Sequence, residues 1–300
     1  MTISPTLKLN NGIDIPALGL GVLYSGGDDT VRMVRTAIET GYRLIDTAAA
    51  YQNEEQVGEG IRQSGIDRSE LFVTTKLFLP DYGYEEALRA FDTSLGKLGL
   101  DYLDLYLLHW PVPRTFDATL ASWRALEKLL AEGRIRAIGV CNFNPDHLAN
   151  LIAGSDVIPA INQVELHPYF TQPDVRAANA EHGVLTQAWS PIGGVKRYWA
   201  KDPATAHDPL TDPVIAEIAS RYGKTTAQIV LRWQIQHGHS VIPKSGRPER
   251  IAQNIDIFDF QLTAEEVAAI DALDCNERGG PDPEANDLET IRKRVAAAKA

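Results

Sequence analysis

The chain has 300 residues, of which 44% are hydrophobic and 23% are charged, as is usual for a globular protein with a substantial core. Its formal net charge of −11 argues against general binding of nucleic acid, which requires a basic surface. The N-terminal residues lack the pattern of a signal peptide, no apolar run is long enough to span a membrane, and the 2 cysteines are too few for a disulfide framework. We therefore expect a cytoplasmic protein that binds neither membranes nor nucleic acid.

Short apolar runs alternate with amphipathic segments along almost the whole chain. Ahead of them, the segment LKLNNGIDIP predicts a β-hairpin that turns at Asn11-Gly12. Eight runs then have the composition of strands, and several are apolar almost continuously, as in parallel strands that are covered on both faces. In chain order they are ALGLGV, YRLIDT, LFVTTKL, YLDLYLLH, IRAIGVC, AINQVEL, GVLTQAW and SVIPK.

Helical patterns lie between these strands. One helix is predicted after Asp212, a potential N-cap residue, with Pro213 at its first position. In another, apolar residues at a spacing of three and four share one helical face, namely Leu88, Phe91, Leu95 and Leu98.

This alternation indicates an α/β fold. A doubly wound dinucleotide-binding fold would need the pattern GxGxxG, but Gly19, Gly21 and Gly26 have the wrong final spacing. Eight strands favour a (β/α)8 TIM barrel. We predict a single barrel domain over residues 1–300, with an N-terminal β-hairpin cap, a long loop from Ser190 to Thr211, and a C-terminal extension made of a loop and a helix.

Polar residues end several of the apolar strands, at the edge where the active site of such a barrel lies. Asp46, Lys76 and His109 each end a strand, and Tyr51 follows the first of them closely. Any one of them alone is more often a helix cap, a solvated lysine or a structural side chain. Their shared position in the predicted fold favours a functional interpretation.

Together these four side chains form a coherent chemical set. The phenol of a tyrosine has a reference pKa of about 10, and a nearby ammonium is expected to lower it. Asp46 would hold Lys76 charged and oriented, and His109 would hydrogen-bond a substrate oxygen. The result is a proton-donating pocket suited to a carbonyl group that accepts a hydride.

Several motifs in order resemble the aldo-keto reductases, from about Leu7 to Asp274: YRLIDTAAAYQNEEQVG, LFVTTKL, YLDLYLLHWP, IGVCNF, NQVELHPY and IPKSGRPERIAQN. Within that family the chain is most similar to bacterial 2,5-diketo-gluconate reductase-type members. The resemblance implies a catalytic tetrad of Asp46, Tyr51, Lys76 and His109, with Tyr51 as general acid. It also implies that NADPH binds in an extended form across the barrel mouth without a Rossmann domain.

The resemblance also implies a set of cofactor contacts. Asn142 and Gln163 match positions that bind the nicotinamide carboxamide, and Trp189 matches the aromatic residue that stacks on the ring. Lys244, Ser245, Arg247 and Arg250 form a local basic patch, in which all but Arg247 match contacts to the 2′-phosphate. The predicted cofactor residues are completed by Cys141, Ser190, Gln253 and Asn254.

Three positions depart from the family pattern. Cys141 stands where the family commonly has serine, and its thiol is a weaker hydrogen-bonding partner. Gln253 replaces a residue that is often glutamate. Lys196 lies where some members carry an acid that helps to latch a loop over the cofactor.

The substrate is expected to be a small carbonyl compound, and the protein a monomer without a metal. Tyr24, Phe78 and Trp110 follow strand ends and would form an aromatic rim, and Arg278 in the C-terminal tail would meet an acidic substrate. One alternative is a non-catalytic NADP-binding module that senses redox state on the same fold. Another is a metal-dependent barrel enzyme, for which HGH at 237–239 is the only tight histidine pair.

Overall fold

The computed structural model describes residues 3–23, 25–194 and 208–299. The chain begins with an antiparallel hairpin of β1 (Thr6–Lys8) and β2 (Asp14–Pro16). Its turn includes Gly12 at a φ of 86°, a conformation that glycine adopts without steric cost. The hairpin predicted from the sequence is confirmed.

Eight parallel strands follow and pair in sequence order into one curled sheet. They are β3 (Leu20–Gly21), β4 (Leu44–Asp46), β5 (Phe72–Leu77), β6 (Leu103–Leu108), β7 (Ile135–Cys141), β8 (Ile161–Glu165), β9 (Leu185–Trp189) and β10 (Ser240–Val241). Each lies within one of the eight predicted runs, so the α/β class and the parallel sheet are confirmed.

The two end strands of this sheet are also connected to each other. An isolated parallel bridge pairs Leu18 with Val241. The backbone N–H of Gly19 donates to the carbonyl of Val241 at 2.8 Å, and the N–H of Val241 donates to the carbonyl of Ala17 at 2.8 Å. These bonds satisfy backbone groups that an open sheet edge would leave unpaired.

The helices of the described residues connect the strands and flank the sheet. They are α1 (Gly27–Thr40), α2 (Glu54–Ser64), α3 (Tyr84–Leu98), α4 (Phe116–Ala131), α5 (Pro145–Ala153), α6 (Pro173–Glu181), α7 (Pro213–Tyr222), α8 (Thr226–Gln236), α9 (Pro248–Ile255), α10 (Ala264–Asp271) and α11 (Leu288–Lys299). Asp212 caps α7 as predicted, since its carboxylate accepts a 2.8 Å hydrogen bond from the N–H of Val214. No helix in these ranges is both long and apolar enough to cross a membrane.

Alternate residues of the strands face two separate cores, as the twofold periodicity of a strand requires. One core lies between the sheet and the helices, and Val73 of β5 and Trp123 of α4 belong to it. The other lies on the inner face of the sheet, where Phe72 and Leu105 meet Ile15 of the hairpin. The hairpin therefore covers the inner core at the end of the sheet where the strands begin.

Candidate active site

The carboxyl ends of the strands surround a cavity of about 630 Å³ at the opposite end of the sheet from the hairpin. Three of the four residues predicted as a catalytic tetrad line it, namely Asp46, Tyr51 and His109. The cavity continues to the predicted cofactor residues Asn142, Gln163, Trp189, Ser190, Lys244 and Arg250. The structure thus brings together side chains that are far apart in the sequence.

Asp46 and Lys76 form a buried ion pair beneath the cavity. The ammonium of Lys76 donates to Oδ1 of Asp46 at 2.5 Å and to the carbonyl of Thr47 at 2.8 Å, and Lys76 is fully buried. Burial raises the pKa of Asp46 against the opposing influence of Lys76. Burial alone would lower the pKa of Lys76, but the charge of Asp46 and the phenol of Tyr51 raise it overall. The amine is therefore held as a cation.

Tyr51 lies over this cation at the end of a 3₁₀ turn, Ala49–Tyr51. The centre of its ring is 5.1 Å from Nζ of Lys76 and 5.7 Å from the centre of the His109 ring. Burial of the phenol away from solvent raises the pKa of Tyr51 to about 12, although the charge of Lys76 acts to lower it. The sequence-based expectation of a lowered pKa is thus wrong in its net direction, because desolvation outweighs the nearby charge.

His109 faces Tyr51 across the cavity. Its surroundings exclude solvent, and this desolvation together with the charge of Lys76 brings the pKa of the imidazole well below its usual value. Nδ1 of the ring is buried and has no hydrogen-bond partner among the described residues. A neutral imidazole can donate through one nitrogen, so His109 can offer a hydrogen bond to an oxygen in the cavity without carrying charge.

Two buried polar residues that the sequence analysis did not single out hold the loop that carries Tyr51. Oδ1 of Asn53 accepts from the hydroxyl of Thr47 at 2.7 Å, and its Nδ2 donates to the carbonyl of Val22 at 2.9 Å. Glu54, in the first turn of α2, accepts from the hydroxyl of Thr75 at 2.7 Å. Their signal in the sequence is the polar run QNEE after Tyr51, in which they are the second and third residues.

Gln163 connects the ion pair with the next part of the cavity. Its Nε2 donates both to Oδ2 of Asp46 at 2.8 Å and to Oε1 of Gln187 at 2.7 Å. Because both amide hydrogens are used, only Oε1 of Gln163 is left for a ligand, and it can only accept a hydrogen bond. Cys141 is buried behind it, with its sulfur 3.9 Å from that oxygen, and the pKa of the thiol is raised by burial.

Asn142 and Trp189 are held against each other. The indole Nε1 donates to Oδ1 of Asn142 at 2.8 Å, and Nδ2 of Asn142 donates to the carbonyl of His109 at 3.0 Å. Asn142 and Ser190 have φ angles of 63° and 48°, a left-handed conformation that non-glycine residues rarely adopt. Such backbone strain concentrates at functional sites.

Beyond this aromatic residue, the cavity ends at the predicted basic patch. Lys244 and Arg250 line it, and Arg250 is exposed in the first turns of α9. Among the described residues, no carboxylate forms an ion pair with Lys244, Arg247 or Arg250. Ser245 accepts a 3.2 Å hydrogen bond from the N–H of Arg247, while Gln253 is exposed on α9 and Asn254 is buried there. Cations that form no ion pair with the described carboxylates suit an anionic ligand.

Of the predicted aromatic rim, Phe78 and Trp110 line the cavity, whereas Tyr24 lies outside the described residues. Lys196 and most of the loop from Ser190 to Thr211 also lie outside them. Pro281 and Asn286 from the C-terminal segment supply another part of the wall, but Arg278 is not among the lining residues. Its guanidinium instead lies 4.7 Å above the ring of Phe170.

The histidines of HGH are remote from this cavity. His237 contacts Asp271 at 2.8 Å, and Nδ1 of His239 lies 2.8 Å from Oε1 of Gln234. Within the described residues, no group of three or more histidine, cysteine, aspartate or glutamate side chains is arranged to hold a metal ion.

Comparisons with known proteins place this geometry in a family. The model of the Aldo/keto reductase family matches residues 17–275. A morphine 6-dehydrogenase of Pseudomonas putida is 57% identical over 97% of this chain and 99% of its own length, and a glyoxal reductase of Bacillus subtilis is 46% identical over 94% and 98%. A crystal structure of a Bombyx mori aldo-keto reductase in complex with NADP has a TM-score of 0.87 and 40% identity, and covers 94% of this chain and 96% of its own. The chain therefore belongs to the aldo/keto reductase family. It is an oxidoreductase.

Proposed function

We propose that this chain reduces aldehyde and ketone carbonyls to alcohols with NADPH, and that Tyr51 is the general acid. The observation that carries the proposal is one continuous cavity. The Tyr51 and His109 pair lies at one end, and at the other lie cations that form no ion pair within the described part of the chain. The bonds between Ala17, Gly19 and Val241 support a closed (β/α)8 barrel, and we infer a single domain over residues 1–300.

The tetrad acts on the substrate oxygen. Tyr51 stays protonated at neutral pH because its pKa is about 12, so the phenol is available to give a proton to the oxygen as negative charge develops there. The fixed cation of Lys76 stabilises the phenolate that remains. His109 donates a second hydrogen bond to the same oxygen and orients the carbonyl. In alcohol oxidation the same tyrosine would act as base.

The ring end of the cavity fits the carboxamide of a nicotinamide. A carboxamide offers one acceptor and two donors, and the chain presents the complement. Asn142 retains one free N–H on Nδ2, while Gln163 retains Oε1 as an acceptor. Trp189 offers the face of its indole, and Cys141 and Ser190 complete the ring end. When bound, NADPH supplies the hydride to the carbonyl carbon.

The basic patch fits the 2′-phosphate that distinguishes NADPH from NADH. We assign Lys244, Ser245, Arg247 and Arg250 to that phosphate, because a chain with a net charge of −11 needs local cations to hold an anion. Gln253 and Asn254, one turn further along α9, are assigned to the adenine.

The relatives indicate the range of substrates to test. One is named a morphine 6-dehydrogenase and another a glyoxal reductase, so a panel should contain small dicarbonyls and bulky cyclic ketones. The narrower likeness to 2,5-diketo-gluconate reductases stays a prediction, and so does a monomeric state.

The decisive test is Tyr51→Phe, with Tyr84→Phe on the exposed face of α3 as its control. We expect Tyr51→Phe to bind NADPH normally and to lose about a thousandfold in carbonyl reduction, the usual contribution of general acid catalysis. Tyr84→Phe should match the wild type. A Tyr51→Phe variant that keeps its rate would disprove the proposed chemistry. A wild-type protein that binds NADPH but reduces nothing in the panel would instead support a redox-sensing module.

A further inference from the structure

A buried carboxylate at the end of β8 plays no part in the chemistry proposed above. The side chain of Glu165 is fully buried, with 0% exposure. Among the described residues, no lysine or arginine forms an ion pair with it. A buried carboxylate without a cation depends on hydrogen-bond donors, because desolvation of an unpaired charge is costly.

Those donors come mainly from the C-terminal segment, which we define as residues 275–287. The backbone N–H of Gly279 donates to Oε1 of Glu165 at 2.7 Å, and the N–H of Gly280 donates to Oε2 at 2.9 Å. Nε2 of His167 lies 3.0 Å from Oε1. Both oxygens of one side chain thus bind adjacent residues of a segment that follows it by more than a hundred residues.

Further contacts place this part of the segment against the loop after β8. The N–H of Glu277 donates to the carbonyl of Tyr169 at 2.9 Å, and Arg278 lies over the ring of Phe170. Gly280 packs so closely that a β-carbon there would come within 2.6 Å of the Trp189 ring and 2.9 Å of Glu165. A side chain at this position would have to displace the carboxylate or the indole.

The segment enters the cavity wall immediately beyond this attachment. Pro281 and Asn286 line the cavity, and Asn286 donates to the carbonyl of Pro111 at 3.3 Å. At the rim the attachment is through an exposed carboxylate, since Glu284 accepts from Nδ2 of Asn144 at 2.7 Å. The buried attachment therefore fixes where the wall begins, and the exposed one lies beyond it.

We propose that Glu165 is a positioning residue that latches the C-terminal segment over the end of the cavity that holds Tyr51 and His109. In this way it sets the affinity for substrate. It touches none of the tetrad residues and acts through Gly279 and Gly280. The kinetic part of this proposal rests on the proposed carbonyl reduction, whereas the attachment itself does not.

The test uses the complete protein and begins without cofactor or substrate. Glu165→Gln replaces one acceptor oxygen by an amide that opposes a backbone N–H. We expect tryptic cleavage after Arg278, followed as the fragment that begins at Gly279, to become about tenfold faster, as the loss of a charge-assisted hydrogen bond implies. Glu284→Gln is the matched control at the exposed attachment and should be cleaved at the wild-type rate.

Kinetics with the best carbonyl substrate then separate positioning from a general structural effect. In Glu165→Gln the KM should rise about tenfold while kcat and the Kd for NADPH stay within about threefold of wild type, because the tetrad and the basic patch are not displaced. Gly280→Ala attacks the same attachment from the segment side. Its β-carbon would also press on the ring of Trp189, so only its cleavage rate is compared, and that rate should rise as in Glu165→Gln. If Glu165→Gln melts well below wild type, the cleavage rate of Gly280→Ala decides whether the attachment holds the segment.

Three results would overturn the latch. They are wild-type cleavage in both latch variants, faster cleavage with an unchanged KM, and equal acceleration in Glu284→Gln. If no carbonyl is reduced even by the wild type, the proposed function fails, while the cleavage rates still decide whether the attachment exists.

Discussion

The hydroxyl of Thr75 donates a 2.7 Å hydrogen bond to Oε1 of Glu54 and so ties β5 to the start of α2. Lys76 is the next residue on that strand, and Tyr51 lies three residues before Glu54. The bond therefore fixes the distance between the cation and the phenol from outside the cavity. Both partners are buried, Glu54 at 2% exposure, so the carboxylate depends on this donor.

Removal of that donor should misplace Tyr51. We expect Thr75→Val, which keeps the shape of the side chain, to lower kcat about tenfold and to cost about 1–3 kcal/mol in the free energy of unfolding, because a buried carboxylate loses its partner. Urea denaturation and steady-state kinetics measure the two effects.

Thr74 is the matched control on the same strand. Its hydroxyl is buried and has no hydrogen-bond partner among the described residues. Thr74→Val should therefore be neutral or stabilising, since it removes an unsatisfied polar group. Equal damage from the two substitutions would show that the strand tolerates no valine and that the tie to Glu54 is unimportant.

Arg250→Ala should change the choice between cofactors. If Arg250 binds the 2′-phosphate, its loss should raise the Kd for NADPH by roughly tenfold or more and leave the Kd for NADH nearly unchanged. One hydrogen bond to a charged group is worth about 1.5–3 kcal/mol. Arg221→Ala removes another exposed arginine, one that pairs with Glu266 at 3.2 Å, and should affect neither cofactor. The assignment fails if NADPH and NADH weaken equally.

The lowered pKa of His109 predicts a loss of stability in acid. The unfolded chain binds a proton near pH 6.5, whereas the folded chain resists it until much lower pH. The free energy of unfolding is therefore not reduced by this histidine above pH 6.5. Below that value it falls as the pH drops, by up to about 1.4 kcal/mol per pH unit. The pKa of His239 is also lowered, to about 3, and acts in the same direction.

The contribution of His109 is obtained by difference. Urea unfolding at pH 7 and pH 5 should show a smaller acid loss in His109→Gln than in the wild type, because glutamine takes up no proton. Parallel losses in the two proteins would mean that this imidazole does not resist protonation.

Gln163→Glu should create a pH-dependent defect. Nε2 of Gln163 lies 2.8 Å from Oδ2 of Asp46, so the substitution brings two carboxylates together in a buried site. Repulsion raises the pKa of the new acid in the folded state, and the stability deficit should therefore grow as the pH rises from 5 to 8. Thermal melts across that range measure it.

An exposed pair with the same chemistry provides the comparison. Nε2 of Gln63 donates to Oε1 of Glu59 on the surface of α2 at 2.5 Å. Gln63→Glu should change stability by less than about 0.5 kcal/mol at any pH in this range, because solvent screens the charges. A deficit of similar size in both variants would contradict the role of burial.

The strands were predictable because each is a short apolar run between turn or helix signals. β3 and β10 are shorter than their runs, with the isolated bridge between Leu18 and Val241 continuing the pairing outside them. The gathering of Asp46, Tyr51 and His109 around one cavity followed from their positions at strand ends. The end of a strand can be read from the order of strands and helices in the sequence, without knowledge of side-chain geometry.

The remaining features depend on three-dimensional surroundings that a linear pattern does not contain. The net rise in the pKa of Tyr51 follows from how much solvent its neighbours exclude, which outweighs the charge of Lys76. Glu165 stands within an apolar run and its partners, Gly279 and Gly280, lie far along the chain. An acid in such a run is a signal of a buried partner, but it does not say which residue the partner is.

The contact between the first and last strands bears on the order of events during synthesis. Ser240 and Pro16, joined by a hydrogen bond at this contact, are 224 residues apart in the sequence. The contact can therefore form only after most of the chain has been synthesised. Lys244 and Arg250 follow Ser240 in the sequence. A nascent chain that already contains Asp46, Tyr51 and His109 therefore still lacks the basic patch proposed to bind the 2′-phosphate. By mass action, NADPH would then stabilise only those chains in which the basic patch has already been synthesised.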